Sequence, residues 1–394
     1  MFENSIKKNH KNLIYLLYII FTFYIIAPYF LYLYNNFFLE NVLTHFPIES
    51  HEILRAYVIK IISDTDFNFL FFLNSFLFFS IFFLLYISLF SLKTNFLIYS
   101  NLIDVKNTYL IMQIVICICI FIFLRDFIEI FYFFLEKGIS SNHRSNVLQI
   151  IMNHKQTHMV IGSIFSIFLF KHNKKYISIF FLVAIFSFEI LTLSRFYIFL
   201  CCLSFLIFFK RKFLYALIPL TLFFITYRFF DNLDISAFLY NFLWEPISLW
   251  CTEIIDLNNF FNESNKEDFY SKIFFDNFFV NFIFFDTDNT YNPFLNSTFK
   301  QFGSYASFGL IYTLAYPIQT LFLLISIFFL KKIIDLFANY DDLFLIVYTF
   351  TIFKILRGSS IYGLSFILKF EILLLMMIFL SLIFVKLNFF KSSS

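Results

Sequence analysis

The chain has 394 residues, of which 60% are hydrophobic and 14% are charged, whereas a typical soluble domain carries roughly 25% charged residues. With a mean hydropathy of +0.80, this composition excludes an ordinary soluble globular domain and predicts an all-α, polytopic membrane protein. The formal net charge is only +3, and no nucleic-acid partner is expected.

The apolar runs predict about ten transmembrane helices, because a span needs about 20 predominantly apolar residues. The fourth, sixth and ninth runs are shorter and fit a membrane by borrowing flanking residues. Together the runs make residues 1–394 a single integral membrane domain. The predicted spans lie near 13–34, 67–92, 108–135, 157–170, 176–193, 196–209, 213–230, 303–330, 341–356 and 364–385.

Lysine and arginine are concentrated in every second connection between the predicted spans, which predicts the orientation of the chain in the membrane. Cytoplasmic loops are enriched in these two residues. If the N-terminus is cytoplasmic, every second connection carries them, and the C-terminus is cytoplasmic as well. The predicted cytoplasmic residues are Lys7, Lys8, Lys11, Lys93, Lys106, Lys171, Lys174, Lys175, Lys210, Arg211, Lys212, Lys331, Lys332, Lys386 and Lys391.

The longest external connection is residues 231–302, a large loop with eleven acidic and three basic side chains. Amphipathic stretches within it predict helices that lie against the membrane face. A loop of this length in a compact protein is usually functional. The five cysteines show neither a CxxC pair nor a zinc-ligand spacing, so no metal and no cofactor are expected.

Two charges interrupt the most apolar stretch of the chain. Residues 176–209 contain only Glu189 and Arg195 as charged side chains. Because an arginine in hydrocarbon costs about 2.5 kcal/mol or more on insertion scales, Arg195 lies either in a tight turn between two helices or against a polar cavity. The alternative to a functional role is an anchor at a helix end, by snorkelling or by pairing with Glu189.

A second arginine falls on the same external face. Arg357 opens the segment RGSSIYG, a predicted turn at 357–363 that contains Gly358 and Gly363. A planar guanidinium binds phosphate or pyrophosphate through two parallel hydrogen bonds. Two such groups at membrane depth, Arg195 and Arg357, predict a site for an anionic lipid head group.

Three short motifs together resemble the Wzy-type oligosaccharide repeat-unit polymerases, which make O-antigen and capsular polysaccharide. They are the SR turn LTLSRFY, the Asn- and Tyr-rich stretch NTYNPFLNSTFKQFGSYASFG before a helix, and the late arginine of ILRGSS. The resemblance covers roughly residues 180 to 370. It implies a bundle similar to the GT-C membrane glycosyltransferases, with one large periplasmic loop, in the bacterial inner (cytoplasmic) membrane.

The resemblance also implies an activity. Such enzymes transfer a growing glycan from undecaprenyl pyrophosphate onto the non-reducing end of a lipid-linked repeat unit, form a glycosidic bond and release undecaprenyl pyrophosphate. The implied partners are the lipid-linked donor and acceptor glycans, membrane lipid and a chain-length regulator.

The reaction assigns roles to individual residues. Arg195 and Arg357 would stabilise charge on the leaving pyrophosphate, and Glu245 is one catalytic candidate for the general base toward the acceptor hydroxyl. Glu253, His154 and His158 are alternative bases. Polar side chains that hydrogen-bond sugar hydroxyls, together with nearby charged groups, give the predicted substrate-binding set, which is Asn289, Tyr291, Asn292, Lys300, Tyr305 and His158.

Two other functions fit parts of the sequence. An O-antigen-ligase-like or polyprenyl-phosphate-dependent glycosyltransferase shares the bundle and the external loop, and differs mainly in its acceptor. A lipid-linked oligosaccharide flippase is expected to show a two-fold helix repeat and short loops on both faces, and this chain has one dominant loop. The DxD triplets at Asp64 to Asp66 and Asp286 to Asp288 are read as chance features of polar loops.

Overall fold

The computed structural model describes six continuous helices within residues 105–137, 157–192, 317–337, 340–357 and 360–392, together with a few isolated helical residues, Tyr18, Ile19, Leu77, Ser80, Leu84, Tyr197 and Cys201. The helices are α1 (Val105–Lys137), α2 (Thr157–Lys171), α3 (Lys175–Thr192), α4 (Pro317–Asp335), α5 (Asp341–Arg357) and α6 (Ser360–Ser392). The predicted spans at 13–34, 67–92, 196–209 and 213–230 lie outside these ranges, apart from the isolated residues. So does the predicted loop 231–302.

Each observed helix overlaps one predicted span, although α4 and α6 extend beyond the predicted ends. Helix α1 contains the span predicted over 108–135, and α2 and α3 match the next two spans to within one residue. Helix α6 contains the last predicted span but has 33 residues. Apolar runs therefore locate these helices well, whereas their insertion into a membrane stays a prediction.

One predicted connection is longer than the observed one. The turn expected over 357–363 is wrong in its extent, because α5 ends at Arg357 and α6 begins at Ser360. Gly363 consequently lies in the first turn of α6. A glycine in a helix costs only about 1 kcal/mol relative to alanine, and a long apolar helix tolerates that loss where its neighbours bury it.

Helices α2 and α3 form a tight hairpin. Asn173 adopts a left-handed conformation, with φ of 63°. The N–H of Asn173 donates to the carbonyl of Phe170, and the N–H of Lys174 donates to the carbonyl of Leu169 over 2.9 Å. This is the Schellman pattern, in which a left-handed residue satisfies the last carbonyls of a helix, and asparagine is one of the few non-glycine residues that adopt it readily.

The six helices pack in two groups of three that touch each other. Helices α1, α2 and α3 contact one another, as do α4, α5 and α6, and contacts of α1 with α6 and of α2 with α5 join the groups. Buried aromatic rings form much of the core. Phe123 and Phe188 meet edge to face at 5.2 Å between α1 and α3, and Phe165 meets Phe370 at 5.7 Å between α2 and α6.

The absence of a side chain at Gly162 lets α3 approach α2 closely. The fully buried ring of Phe181 lies where a β-carbon at Gly162 would be, so any larger residue would clash with it. The ring therefore packs directly on the backbone of α2, which brings the α2–α3 hairpin together along its length.

Large apolar side chains cover the outer faces of several helices. Phe121 of α1 is 80% exposed and Phe379 of α6 is 64% exposed. Among the described residues, Phe366–Leu387 of α6 is the stretch long and apolar enough to cross a membrane, with a mean hydropathy of 2.5. One such helix is weak evidence of membrane association, because a core helix of a soluble protein meets the same criterion.

Candidate functional site

His158 is the one predicted site residue whose side chain the structure describes. Arg357 is the last residue of α5, where the backbone is described. The other predicted site residues lie outside the described ranges, and their placement stays a prediction. They are Arg195, Glu245, Asn289, Tyr291, Asn292, Lys300 and Tyr305, and the same holds for Glu253, His154 and both DxD triplets.

Glu189, the predicted partner of Arg195, has a backbone partner beyond the end of α3. Its carboxylate is completely buried, and Oε1 accepts a hydrogen bond from the backbone N–H of Tyr197 over 2.8 Å. Tyr197 is itself buried and helical. The contact satisfies a buried backbone donor, which would be costly to leave without an acceptor. Glu189 therefore ties α3 to the chain just beyond Arg195.

A second buried carboxylate lies between α1 and α2. Asp126 has a side chain that is 4% exposed, and its Oδ2 lies 3.5 Å from Nε2 of His158, which is 9% exposed. This separation is within ion-pair range. His158 lies in the first turn of α2 and Asp126 in the second half of α1, so the pair joins two antiparallel neighbours.

Arg125 completes this cluster from the outside. Its Nε and Nη2 atoms both lie 3.3 Å from Oδ1 of Asp126, and its side chain is 67% exposed. Asp126 thus has one oxygen toward a guanidinium and the other toward an imidazole. Because an isolated buried carboxylate is costly, these two contacts account for its position inside an apolar helix pair.

An ion-pair network, formed by Lys171, His172, Lys331, Asp335, Asp341 and Asp342, joins the helix ends at the opposite end of the bundle. Lys171 pairs with Asp342, and Lys331 lies 3.2 Å from Asp335 and 3.6 Å from Asp341. The network thereby connects the ends of α2 and α4 to the start of α5.

His172 lies at the edge of this network. Its Nε2 is 3.8 Å from Oδ2 of Asp342, and its ring packs on that of Phe168, with centroids 4.5 Å apart. Burial lowers the pKa of His172, although the Asp342 carboxylate acts in the opposite direction. The neutral imidazole is therefore the favoured form in the folded protein.

The network brings together two connections predicted to share a side of the membrane. Lys171 and Lys331 belong to two of the predicted cytoplasmic segments, and both pair with acidic residues at the start of α5. Which side of a membrane the network faces stays a prediction.

Helical rise places several polar residues in one layer at the far end of the bundle. Each helix rises 1.5 Å per residue, so His158, Glu189 and Arg357 each lie about 20–24 Å along their helices from the network end, and Asp126 is level with His158 through their 3.5 Å contact. Four different helices contribute them, namely α1, α2, α3 and α5. We call these residues the polar layer, and Arg195 follows Glu189 by six positions in the sequence.

Sequence reasoning missed Asp126. It named His158 without identifying a partner for it. The signal was present, because Arg125 and Asp126 are adjacent charges within the long apolar run of α1, and a charge at membrane depth indicates a polar partner. What the sequence did not reveal is the antiparallel packing of α1 on α2 that brings His158 to Asp126.

The polar layer suits acid–base and anion chemistry. It contains the buried His158 beside Asp126, a second buried carboxylate at Glu189, and Arg357 as the last residue of α5. Within the described ranges, no group of three or more His, Cys, Asp or Glu side chains could hold a metal ion. No family model, no curated protein and no solved structure matches the chain.

Proposed function

We propose that this protein is a membrane-embedded glycan polymerase. It joins undecaprenyl-pyrophosphate-linked oligosaccharide repeat units on the periplasmic face of the inner membrane, forms a glycosidic bond and releases undecaprenyl pyrophosphate. The proposal rests on the sequence resemblance together with the charge placement in the bundle.

The observation that carries the proposal is the contact across the segment that contains Arg195. Glu189 is buried and accepts a hydrogen bond from Tyr197 N over 2.8 Å. This contact supports the proposal that Arg195, which lies between these two residues in the sequence, acts as a fixed cation. A fixed cation contributes more to the stabilisation of developing charge than a mobile one, because it needs no reorganisation during the reaction.

Arg357 supports the same proposal from α5. It is the last residue of that helix, and α6 begins three positions later. By helical rise it belongs to the polar layer, at the level of Glu189. Together, the guanidinium groups proposed for Arg195 and Arg357 would give a pyrophosphate several bidentate hydrogen bonds, which is what a leaving group with growing negative charge requires.

The chemistry needs little else from the protein. The acceptor hydroxyl oxygen attacks the anomeric carbon of the donor glycan, and the bond from that carbon to the pyrophosphate oxygen breaks. The electron pair of the broken bond leaves on undecaprenyl pyrophosphate, where the arginines stabilise it. The hydroxyl proton passes to a base. No metal is required when cationic side chains neutralise the leaving group.

The test is the length distribution of glycan made by arginine variants. Arg195→Ala and Arg357→Ala are expected to abolish long-chain glycan while the protein still inserts into the membrane. Arg195→Lys and Arg357→Lys are expected to fail as well, because a lysine cannot make the bidentate contact. The matched control is Lys174→Ala, an exposed cation in the α2–α3 hairpin, which is expected to leave the ladder unchanged. A wild-type ladder in both alanine variants would contradict the proposal.

A further inference from the structure

Glu371 places a carboxyl group inside the apolar contact face of α6. The residue is 7% exposed, and Ile367 and Leu374, one turn away on either side, are buried as well. Residues three and four positions apart lie on the same face of a helix, so Glu371 belongs to the stripe with which α6 packs on its neighbours. An amphipathic helix carries its charged residues on the opposite face, so this position requires either a partner for the charge or the loss of the charge.

The surroundings of Glu371 do not compensate a negative charge. Its Oε1 atom is buried and makes no hydrogen bond with any described residue. The carboxyl group approaches the backbone of Leu330 in α4, but a residue in the interior of a helix uses its backbone groups within that helix. An ionised carboxylate that is buried without a partner is far more costly than a neutral carboxyl group. The neutral, protonated form therefore fits this position.

The cations closest to Leu330 in the sequence have other partners. Lys331 pairs with Asp335 and Asp341 in the ion-pair network, and Nζ of Lys332 lies over the ring of Phe328, 5.2 Å from its centroid. On α6 itself, Lys369 precedes Glu371 by two positions, which is more than half a turn, so the two side chains leave the helix in different directions.

Charges on the other helices that contact α6 are also engaged or distant. On α5, Asp342 pairs with Lys171 in the network, whereas Lys354 and Arg357 lie toward the opposite end of that helix. On α1, Asp126 is near His158. The remaining described charges of α1 are exposed, and they are Lys106, Arg125, Glu129, Glu136 and Lys137.

We propose that Glu371 is a proton-binding site inside the helix bundle, where it holds its proton while α6 packs on α4 and releases it when the two helices separate. Loss of the proton leaves a charge in an apolar contact, so proton binding and helix packing stabilise each other. Ionisable residues within apolar membrane helices are typical of proton-binding and proton-relay sites. Glu371 lies about 16 Å along α6 from Ser360, away from the polar layer, so this inference does not depend on the proposed polymerase activity.

The first test is the infrared difference spectrum between purified wild type and Glu371→Gln at neutral pH. A protonated carboxyl group has a carbonyl stretching band that an ionised carboxylate lacks. The wild type is expected to show one such band that the variant does not. Asp342→Asn is the matched control, because Asp342 is also buried but pairs with Lys171, and it is expected to remove carboxylate bands alone. Carboxylate bands lost in Glu371→Gln as well would overturn the proposal.

The second test is the same spectrum after the protein has been unfolded in denaturant at the same pH. Unfolding exposes Glu371 to water, where a glutamate side chain is ionised at neutral pH. The band of the protonated carboxyl group is therefore expected to disappear. A band that persists in the unfolded protein would contradict the coupling between proton binding and the contact of α6 with α4.

The third test distinguishes a neutral carboxyl group from a buried ion pair. Glu371→Gln and Glu371→Met keep a similar volume without a charge, and both are expected to retain the wild-type thermal midpoint or to raise it. Asp342→Asn is expected to lower the midpoint, because the loss of one partner of a buried ion pair leaves the other uncompensated. A drop in both Glu371 variants as large as that in Asp342→Asn would show that the negative charge stabilises the fold, and it would overturn the proposal.

Discussion

The backbone N–H of Tyr197 donates a hydrogen bond to Oε1 of Glu189 over 2.8 Å, and the carboxylate has no exposed surface. Glu189 lies one turn before the end of α3, and Tyr197 lies beyond Arg195. The carboxylate that the sequence offers as a counter-ion for Arg195 therefore accepts from the backbone two positions beyond that arginine. This contact ties the end of α3 to Tyr197.

The role of Glu189 is tested by comparing two substitutions. Glu189→Gln keeps an oxygen that accepts from Tyr197 N, so it is expected to retain most stability and activity. Glu189→Ala leaves a buried N–H without an acceptor and is expected to lower the free energy of unfolding by about 1–3 kcal/mol. Thermal midpoints of the purified proteins check this. An equal drop of the thermal midpoint in the two variants would mean that the negative charge of Glu189, through an ion pair, stabilises the protein more than the backbone contact does.

The α2–α3 hairpin depends on close packing at Gly162. Gly162→Ala places a methyl group where the buried Phe181 ring lies, so overpacking is expected to lower the free energy of unfolding by about 1–3 kcal/mol. The double variant Gly162→Ala, Phe181→Leu removes the clash and should recover part of the loss. The thermal midpoint measures both. If alanine at Gly162 costs nothing, then α3 does not pack directly on the α2 backbone.

The ion-pair network should respond to acid through His172. Burial lowers the pKa of His172 in the folded protein, below its ordinary value of about 6.5. The unfolded chain then binds the proton more readily than the folded protein does. The contribution of neutral His172 to the free energy of unfolding is therefore complete above about pH 6.5, and it is lost as the pH falls toward the folded-state pKa. The thermal midpoint should therefore drop on acidification, and His172→Gln should weaken that dependence. An identical pH profile in wild type and variant would contradict this.

Orientation in the membrane can be measured by cysteine labelling in a background without native cysteines. Asn265→Cys, in the loop 231–302, is expected to react with a membrane-impermeant maleimide from outside the cell membrane. Lys174→Cys, at the exposed α2–α3 hairpin, should react only after the membrane is opened, because lysine-rich connections face the cytoplasm. Reversal of the two patterns would invert the orientation and remove the periplasmic site.

Local apolar runs were enough to locate the helices that are described. Bounds such as those of α3 and α5 follow from sequence because each apolar run ends at charged or turn-forming residues, as at Lys171 to Lys175. The turn at 357–363 was placed too long, since Gly363 was read as a breaker although α6 begins at Ser360 and includes it. Pairings between helices were not accessible, because the contact of Asp126 with His158 depends on which helices become neighbours.

The direct test of the central claim is deletion of the gene and the size distribution of the surface glycan that remains. The account predicts that the deletion removes the ladder of long chains and leaves single repeat units, that the wild-type gene restores the ladder, and that a gene carrying Arg195→Ala does not. A ladder of unchanged length in the deletion strain would contradict the assignment as a repeat-unit polymerase.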